Sequence, residues 1–312
     1  MRFYMAIDVG GTRLRVALFQ ENESGIYTQK VIPTHRKGES PTQRLINLVA
    51  EVWPQTGSVI SIGIAVPGPC NPFEGILYKA PNIPAWRDLP LAQILTDRFS
   101  VPTFLGNDAN LAALGEWKFG AARGFHDVLY LTISTGIGGG IIVQDRLLLG
   151  TQGLAGELGH ITLDLEGPIC SCGHPGHLEA FSSGTAIASF VREQLQKGEI
   201  SILNPNAEIT AKEISAAAAK GDALAIRAFQ RAGFYLGYAI ANFLHTFNPS
   251  IIVMGGGVST CGELLFAPMR EVMRQHILSP EYLDQLIITQ AQLGDNAGLM
   301  GALALAAGNT PS

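Results

Sequence analysis

The apolar residues at the start of the chain form two short runs typical of β-strands. Residues 3–8 and 13–19 are rich in β-branched and aromatic side chains, and only a short turn containing Gly10, Gly11 and Thr12 separates them. Two strand-like runs joined by a short glycine turn predict a β-hairpin.

Helix-like and strand-like patterns then alternate as far as residue 117. They predict a helix from Pro41 with Leu45, Leu48, Val49 and Val52 on one face, a strand at 58–66, a helix near 90–99, a strand at 101–105 and a helix after Asn107-Asp108. Ser40 and Gln43 are expected to form a capping box at the first helix. Alternation of this kind predicts an α/β fold, in which helices cover a sheet.

The second half repeats the opening pattern of strand, glycine turn and strand. It predicts a strand at 128–134, a turn at Thr135–Gly140, a strand at 141–143, a helix-rich region at 184–247, a strand at 251–254, a helix from Val258-Ser259 and a closing helix at 297–307. We therefore predict two related α/β domains, residues 1–116 and 117–296, with the C-terminal helix 297–312 packing on the first.

Composition narrows the classes of partner. The 312 residues carry a net charge of −5, and lysine and arginine nowhere form a run, which disfavours a nucleic acid or an anionic membrane as partner. The most apolar stretch, Phe234–Phe247, contains Asn242 and His245 and is too short to span a bilayer. The N-terminus lacks a signal-peptide core. We expect a cytoplasmic protein that acts on small molecules.

Three glycine clusters each follow a strand: 8–12, 134–140 and 255–257. Glycine turns let backbone N–H groups converge on a phosphate without an intervening Cβ, although any single cluster could be an ordinary tight turn. The chain contains neither a Gly-Lys pair nor a GxGxxG sequence, which excludes a Walker A loop and a dinucleotide fingerprint. A phosphate site of another design is expected.

Six segments of the chain, taken together, form a recognisable pattern. They are DVGGTR (8–13), NDAN (107–110), STGIGGG (134–140), GELGH (156–160), CSCGHPGHLE (170–179) and NPSIIVMGGGVS (248–259). In this order they resemble the ROK family of sugar kinases, and the resemblance extends from Asp8 to Gly301. It implies the actin-like ATPase (ribonuclease H-like) fold, with two α/β domains flanking a cleft in which ATP and sugar meet.

The resemblance assigns roles in phosphoryl transfer. Asp108 is implied as the base that accepts the proton of the attacking sugar hydroxyl, although its position also fits an N-cap of a helix beginning at Ala109. ATP and Mg²⁺ are implied to contact Asp8, Gly10, Gly11, Thr12, Arg13, Thr135, Gly136, Gly255, Gly256 and Gly257. Arg13 could instead be a solvated strand residue.

Hydrogen-bonding side chains are expected to line the sugar site. The resemblance nominates Asn82, Asn107, Asp108, Glu157, His160 and Glu179. Composition alone would place Glu157 and Glu179 on a solvated surface.

A structural zinc ion is implied by the fifth segment. The family pattern is a histidine followed by CxCGxxGC, and here a histidine replaces the last cysteine, so the expected ligands are His160, Cys170, Cys172 and His177. His174 is an alternative fourth ligand, and free thiols beside loop histidines are the alternative to a metal site. His160 would bind zinc through one ring nitrogen and the sugar through the other.

The sugar is expected to be glucose, converted to glucose 6-phosphate. Residues 65–69 (AVPGP) and 80–86 (APNIPAW) resemble the glucokinases of the family; N-acetylmannosamine or N-acetylglucosamine is the second choice and fructose the third. The family also contains sugar-sensing repressors with an N-terminal winged helix, for which the seven residues before Asp8 leave no room. A homodimer or homotetramer is expected from the resemblance.

Overall fold

The hairpin predicted at the start of the chain is present in the computed structural model, which describes residues 1–309. Strands β1 (Arg2–Val9) and β2 (Arg13–Gln20) pair antiparallel. Met5 and Ile7 lie in one hydrophobic core and Ala6 in another. Because successive side chains of a strand point to opposite faces, the hairpin contributes to a core on each side of its sheet.

The next elements build the first sheet. They are β3 (Ile26–Pro33), α1 (Pro41–Val52), β4 (Ser58–Val66), β5 (Cys70–Asn71), β6 (Ile76–Lys79), β7 (Arg87–Leu89), α2 (Leu91–Phe99), β8 (Thr103–Asn107) and α3 (Asp108–Phe119). The sheet has the order β3-β2-β1-β4-β8, and β5-β6-β7 form a small separate sheet. Strands β1, β4 and β8 are parallel, so their carboxyl ends share one edge.

The second half contains the remaining elements. They are β9 (Val128–Ile133), β10 (Ile137–Val143), β11 (Arg146–Leu147), α4 (Glu179–Ser182), α5 (Gly184–Gln196), α6 (Ala211–Ala218), α7 (Ala223–Phe247), β12 (Ile251–Gly255), α8 (Glu263–His276), β13 (Ile287–Gln290) and α9 (Ala297–Gly308). The second sheet has the order β11-β10-β9-β12-β13, which repeats the order of the first. No helix within residues 1–309 is both long and apolar enough to cross a membrane.

Contacts divide the chain into two units. The first contains Met1–His126, Gly140–Gly156 and the chain from Ala291 onward, and the second contains Asp127–Gly139 and Glu157–Gln290. The division therefore follows His126, later than the predicted 116/117, because α3 continues to Phe119 and Glu116 binds the loop beyond it (Ala121 N to Glu116 Oε2, 2.8 Å). The sequence analysis also did not predict that Gly140–Gly156, a segment that begins within β10, belongs to the first unit.

The C-terminal helix packs within the first unit. Helix α9 contacts α3, β1 and β4, and residues 310–312 of the predicted closing helix lie outside the described residues. The approach is close because glycines face it: a Cβ on Gly63 would lie 2.0 Å from the Ala302 carbonyl oxygen, and one on Gly301 would lie 1.7 Å from the Leu111 carbonyl oxygen. Helices α1 and α2 supply the core on the other face, with Leu45, Leu48 and Leu95.

Four local expectations from the sequence were wrong. Helix α1 starts at Pro41, but Ser40 makes no side-chain capping bond, so there is no capping box. Gly138–Gly140 belong to strand β10 and not to the turn before it. The strand expected at 101–105 is β8, which is displaced to Thr103–Asn107. The helix expected at Val258 is a 3₁₀ turn, Gly257–Cys261, and α8 follows it.

Candidate active site

Two predicted ligand-binding residues, Asp8 and Asn107, lie at the carboxyl edge of the first sheet. Asp8 is the penultimate residue of β1 and pairs with Ala65 of β4, which in turn pairs with Gly106 of β8. Adjacent strands are about 4.8 Å apart, so the backbones of Asp8 and Asn107 are separated by about 10 Å. This edge of parallel strands is where ligands bind in open α/β sheets.

Asn107 and Asp108 have different roles at the start of α3. The N-cap is Asn107, whose Oδ1 accepts from the N–H groups of Ala109 (3.0 Å) and Asn110 (3.2 Å). Asp108 is the first helical residue, is half-buried, and accepts from Ala109 N at 2.8 Å. The alternative in which Asp108 is the cap is therefore wrong, because Asn107 precedes the first helical residue and accepts from two N–H groups of the first turn.

The first glycine turn lies against the segment that contains Asn82. Gly10 N donates to the Arg13 carbonyl oxygen at 2.8 Å, which closes the turn. A Cβ on Gly11 would lie 2.7 Å from the Cβ of Asn82, so only glycine permits this approach. The Asn82 carbonyl oxygen lies 2.9 Å from Nε2 of His35. The structure thus brings together Gly11 and Asn82, which sequence analysis had assigned to different ligands.

Arg15 is a site residue that sequence analysis missed. Its Nε donates to Asp8 Oδ2 at 2.9 Å, and its Nη2 donates to the same oxygen. Arg13 is exposed at the start of β2. Position 15 could have been found from the strand period: paired directly with Asp8 across the hairpin, it lies beside the carboxylate.

A large cavity lies within the second unit. Its volume is about 1040 Å³. The lining comes from the turn after β9, from α5 and α6, and from the 3₁₀ turn after β12; it includes Ser134, Thr135, Gly184, Thr185, Ala188, Ser189, Arg192, Glu208, Thr210, Lys212, Gly257, Thr260 and Cys261. Two of the three glycine clusters thus border one cavity of a size suited to a nucleotide.

The third glycine cluster contributes less to this cavity than predicted. Of Gly255–Gly257, only Gly257 lines it. A Cβ on Gly255 would lie 2.4 Å from Tyr130 Oη, and one on Gly256, whose φ is +82°, would lie 2.3 Å from the Ile133 carbonyl oxygen. Packing therefore explains these two glycines. The lining from α5 and α6 has no local sequence signature.

Glu179 joins the second glycine turn to the cysteine segment. Its Oε2 accepts from Ile137 N at 2.9 Å, and its Oε1 accepts from Ser171 Oγ at 2.6 Å. A Cβ on Gly136 would lie 2.5 Å from Oε2. Glu179 is half-buried and hydrogen-bonded, so it is not the solvated surface residue that composition alone favoured.

Glu157 and His160 stand together at a short 3₁₀ helix. Glu157 is the N-cap of Leu158–His160, and its Oε2 lies 3.9 Å from His160 Nε2. The other ring nitrogen, Nδ1, faces Cys170 Sγ at 3.7 Å. His160 therefore presents one ring nitrogen to Glu157 and the other to Cys170.

Three further side chains converge on His160. The ligand atoms of His160, Cys170, Cys172 and His177 all lie within 4.8 Å of one another, and Cys172 Sγ is 3.2 Å from His177 Nδ1. Neighbouring nitrogen and sulfur ligands of tetrahedral zinc are about 3.6 Å apart, given bonds of about 2.1 and 2.3 Å. His174 is exposed and lies outside the group.

The chemistry of the cluster also suits a divalent cation. Burial raises the pKa of the Cys170 thiol to about 11, so its thiolate needs a nearby positive charge to form. Burial, and then the neighbouring His160, lowers the pKa of His177, which favours the neutral imidazole that binds metals. These residues fit a zinc ion.

Known proteins resemble this chain in both sequence and fold. A sequence model of the ROK family matches residues 4–309. The glucokinase of Thermotoga maritima is 36% identical over 307 residues, which cover 96% of each chain. A crystal structure of a ROK family glucokinase from Streptomyces griseus, in complex with glucose and AMPPNP, has a TM-score of 0.79 and 33% identity, covering 97% of this chain and 99% of that one. The xylose repressor of Caldicellulosiruptor bescii is 35% identical over 266 residues, 84% of this chain and 66% of the repressor.

The two sheets share one strand order, and the fold class of the chain follows from this order and from the matched structures. The chain has the actin-like ATPase fold, as expected from the sequence. Within that class, it belongs to the ROK family.

Proposed function

We propose that this chain is an ATP-dependent glucokinase, which transfers the γ-phosphoryl group of ATP to glucose and forms glucose 6-phosphate. The observation that carries the proposal is the placement of Asp108 at the carboxyl edge of the parallel strands, with its neighbour Asn107 serving as the helix cap. The kinase reading is supported by relatives that span nearly the whole chain and by a solved relative that holds glucose and an ATP analogue.

Asp108 is assigned as the catalytic base. Phosphoryl transfer depends on positioning and charge neutralisation, and the base accepts the proton of the acceptor hydroxyl as the new P–O bond forms. Asp108 occupies the first position of α3, so its carboxylate lies at the amino-terminal end of that helix.

The other site residues are proposed to bind glucose, the phosphates with Mg²⁺, or the nucleoside. Asn82, Asn107, Glu157, His160 and Glu179 are proposed to hydrogen-bond glucose. The turn Gly10–Arg13 with Asp8 is proposed to hold the phosphates and the water shell of Mg²⁺. The cavity lined by Thr135 and Gly257 is proposed to hold the nucleoside, and Gly136, next to Thr135 in the second glycine turn, is proposed to contact the nucleotide as well. Mg²⁺ neutralises phosphate charge when bound.

Zinc is proposed as a structural ion held by His160, Cys170, Cys172 and His177. Protein purified without added zinc should contain about one zinc per chain, and His177→Ala should lose it. His177→Cys, which supplies another zinc ligand, and His174→Ala, which alters only the exposed neighbour, should both retain it. A zinc content near zero in the unaltered protein would refute the site.

The function is tested by coupling ADP release to a panel of acceptors with MgATP. Glucose should give the highest kcat/KM among glucose, N-acetylmannosamine, N-acetylglucosamine and fructose. A higher value for an N-acetylhexosamine or for fructose would replace glucose as the substrate. The same preparation should sediment as a dimer or tetramer, as we propose from the family resemblance.

A second candidate function is that of a sugar-sensing regulator. The similarity to a xylose repressor favours it. In that case the protein would release no sugar-dependent ADP, yet glucose would still raise its unfolding temperature by binding to the folded state.

A further inference from the structure

Thr34 follows the edge strand β3 and is fully buried. Its Oγ1 donates to the Gly10 carbonyl oxygen at 2.7 Å. Its backbone N–H donates to the Thr12 carbonyl oxygen at 3.0 Å. One residue, distant in sequence, therefore binds two carbonyl groups of the first glycine turn.

Among the residues that the structure describes, these bonds occupy carbonyl groups of the first glycine turn and leave two of its N–H groups free. The carbonyl oxygens of Gly10 and Thr12 are bonded to Thr34, and that of Arg13 accepts from Gly10 N. Within residues 1–309, the N–H groups of Gly11 and Thr12 have no hydrogen-bond partner. A turn with its carbonyls bonded elsewhere and adjacent N–H groups available is a preorganised anion site.

His35, the residue after Thr34, contacts the segment that covers the same turn. His35 Nε2 lies 2.9 Å from the carbonyl oxygen of Asn82, and the Asn82 side chain packs over Gly11. The segment 34–35 thus holds the turn on one side through Thr34 and its covering segment on the other through His35.

We propose that Thr34 is a positioning residue for the phosphates of ATP: it binds the carbonyls of Gly10 and Thr12, so that the N–H groups of Gly11 and Thr12 remain available to phosphate oxygens. This inference rests on the proposed kinase function. Thr34 touches no substrate and acts only through the turn.

The variant Thr34→Val removes the hydroxyl while keeping the shape and the backbone N–H. A neutral hydrogen bond contributes about 1 kcal/mol, so the KM for MgATP and the dissociation constant of Mg-AMP-PNP should each rise roughly fivefold. The KM for glucose should change by less than about twofold, because the hydroxyl acts on the phosphate turn. Thr34→Ser, which restores the hydroxyl, should recover most of the lost affinity.

Ser61→Ala is the matched control. Ser61 is equally buried in the same unit and donates to the Ala306 carbonyl oxygen at 2.9 Å, so its loss should lower stability without changing either KM. The inference is overturned if Thr34→Val leaves nucleotide affinity unchanged, if Thr34→Ser fails to restore it, or if Ser61→Ala weakens nucleotide binding equally.

If the proposed kinase function were wrong, the experiments would give a different result. The unaltered protein would then release no glucose-dependent ADP. Calorimetric titration with Mg-AMP-PNP would still decide the role of Thr34 in that case, and an unaltered protein that does not bind this analogue would overturn the inference as well.

Discussion

At the scale of single residues, neighbours in sequence hold separate roles because their side chains leave the backbone in different directions. Asn107 caps α3 and also donates to the Gly68 carbonyl oxygen at 3.2 Å. Asp108, one position later, begins the helix. The motif identifies both residues, but a one-residue difference in where the helix begins decides which of them is the cap.

Replacing Asp108 by Asn tests this division. The amide keeps the size of the side chain but cannot accept a proton, so kcat should fall by roughly 10²–10⁴-fold. Because the cap is Asn107, the free energy of unfolding should change by less than about 0.5 kcal/mol. Steady-state kinetics and denaturant unfolding measure the two quantities.

Asn107→Ala provides the contrast in stability, since loss of an N-cap costs about 1 kcal/mol. A near-normal turnover by the Asp108→Asn enzyme would remove Asp108 from the chemistry.

At the scale of elements, caps and glycines determine where helices begin and how closely they pack. The longest helix, α7, begins after Asp222, whose carboxylate accepts from Ala225 N (2.8 Å), Ile202 N (2.7 Å) and Ser201 Oγ (2.9 Å). Burial alone would raise the pKa of Asp222, but these hydrogen bonds outweigh it and lower the pKa below its ordinary value of 3.8.

The cap of α7 should give stability that depends on pH. A carboxyl group with a lowered pKa in the folded state stabilises fully above its unfolded value, and this contribution disappears as pH falls through the folded value. Asp222→Asn should therefore be less stable than the unaltered protein at pH 7. The difference should shrink as pH falls below 3.8, and equal stabilities at pH 7 would contradict the assignment.

The contact of α9 with α3 should depend on Gly301. Its Cβ would overlap the Leu111 carbonyl oxygen, so Gly301→Ala should destabilise by about 3 kcal/mol, or prevent folding, through overpacking. Gly308→Ala is the control on the same helix, because a Cβ there meets nothing within 4 Å. Denaturant midpoints compare the two variants, and equal midpoints would show that α9 can shift at no cost.

At the scale of the whole molecule, residues distant in the chain form each unit. The first unit is built from three separate segments and the second from two. The relatives match across both. The cavity of the second unit is assembled in the same way, since its lining comes from the turn after β9, from α5 and α6 and from the 3₁₀ turn after β12.

Nucleotide binding to this cavity should stabilise the folded chain. At a concentration about 100 times its dissociation constant, Mg-AMP-PNP should add about 2.7 kcal/mol to the free energy of unfolding. Ser189→Trp should abolish this gain because Ser189 is exposed on the cavity lining, where an indole would occupy the space. Calorimetric unfolding measures the gain, and an equal gain in both proteins would place the nucleotide elsewhere.

Local sequence predicted those elements whose pattern is strong on its own. The hairpin β1–β2 and the buried face of α1 were confirmed, because period-two and helical patterns reflect burial directly. Strand β3 was missed because nearly all of its side chains are exposed, and a strand at the edge of a sheet shows no apolar alternation.

The candidate site shows the same difference between what the sequence predicts and what the tertiary structure decides. Sequence alone determined the residue types and their order: the acid before the first glycine turn, the Asn-Asp pair, and the histidines and cysteines of the proposed zinc site. Tertiary structure decided which groups they meet, such as Arg15 with Asp8, Glu179 with Ile137, and Thr34 with Gly10 and Thr12. The physical reason is that backbone hydrogen bonds between distant segments depend on strand register and helix packing, whereas a motif records only the spacing of neighbouring side chains.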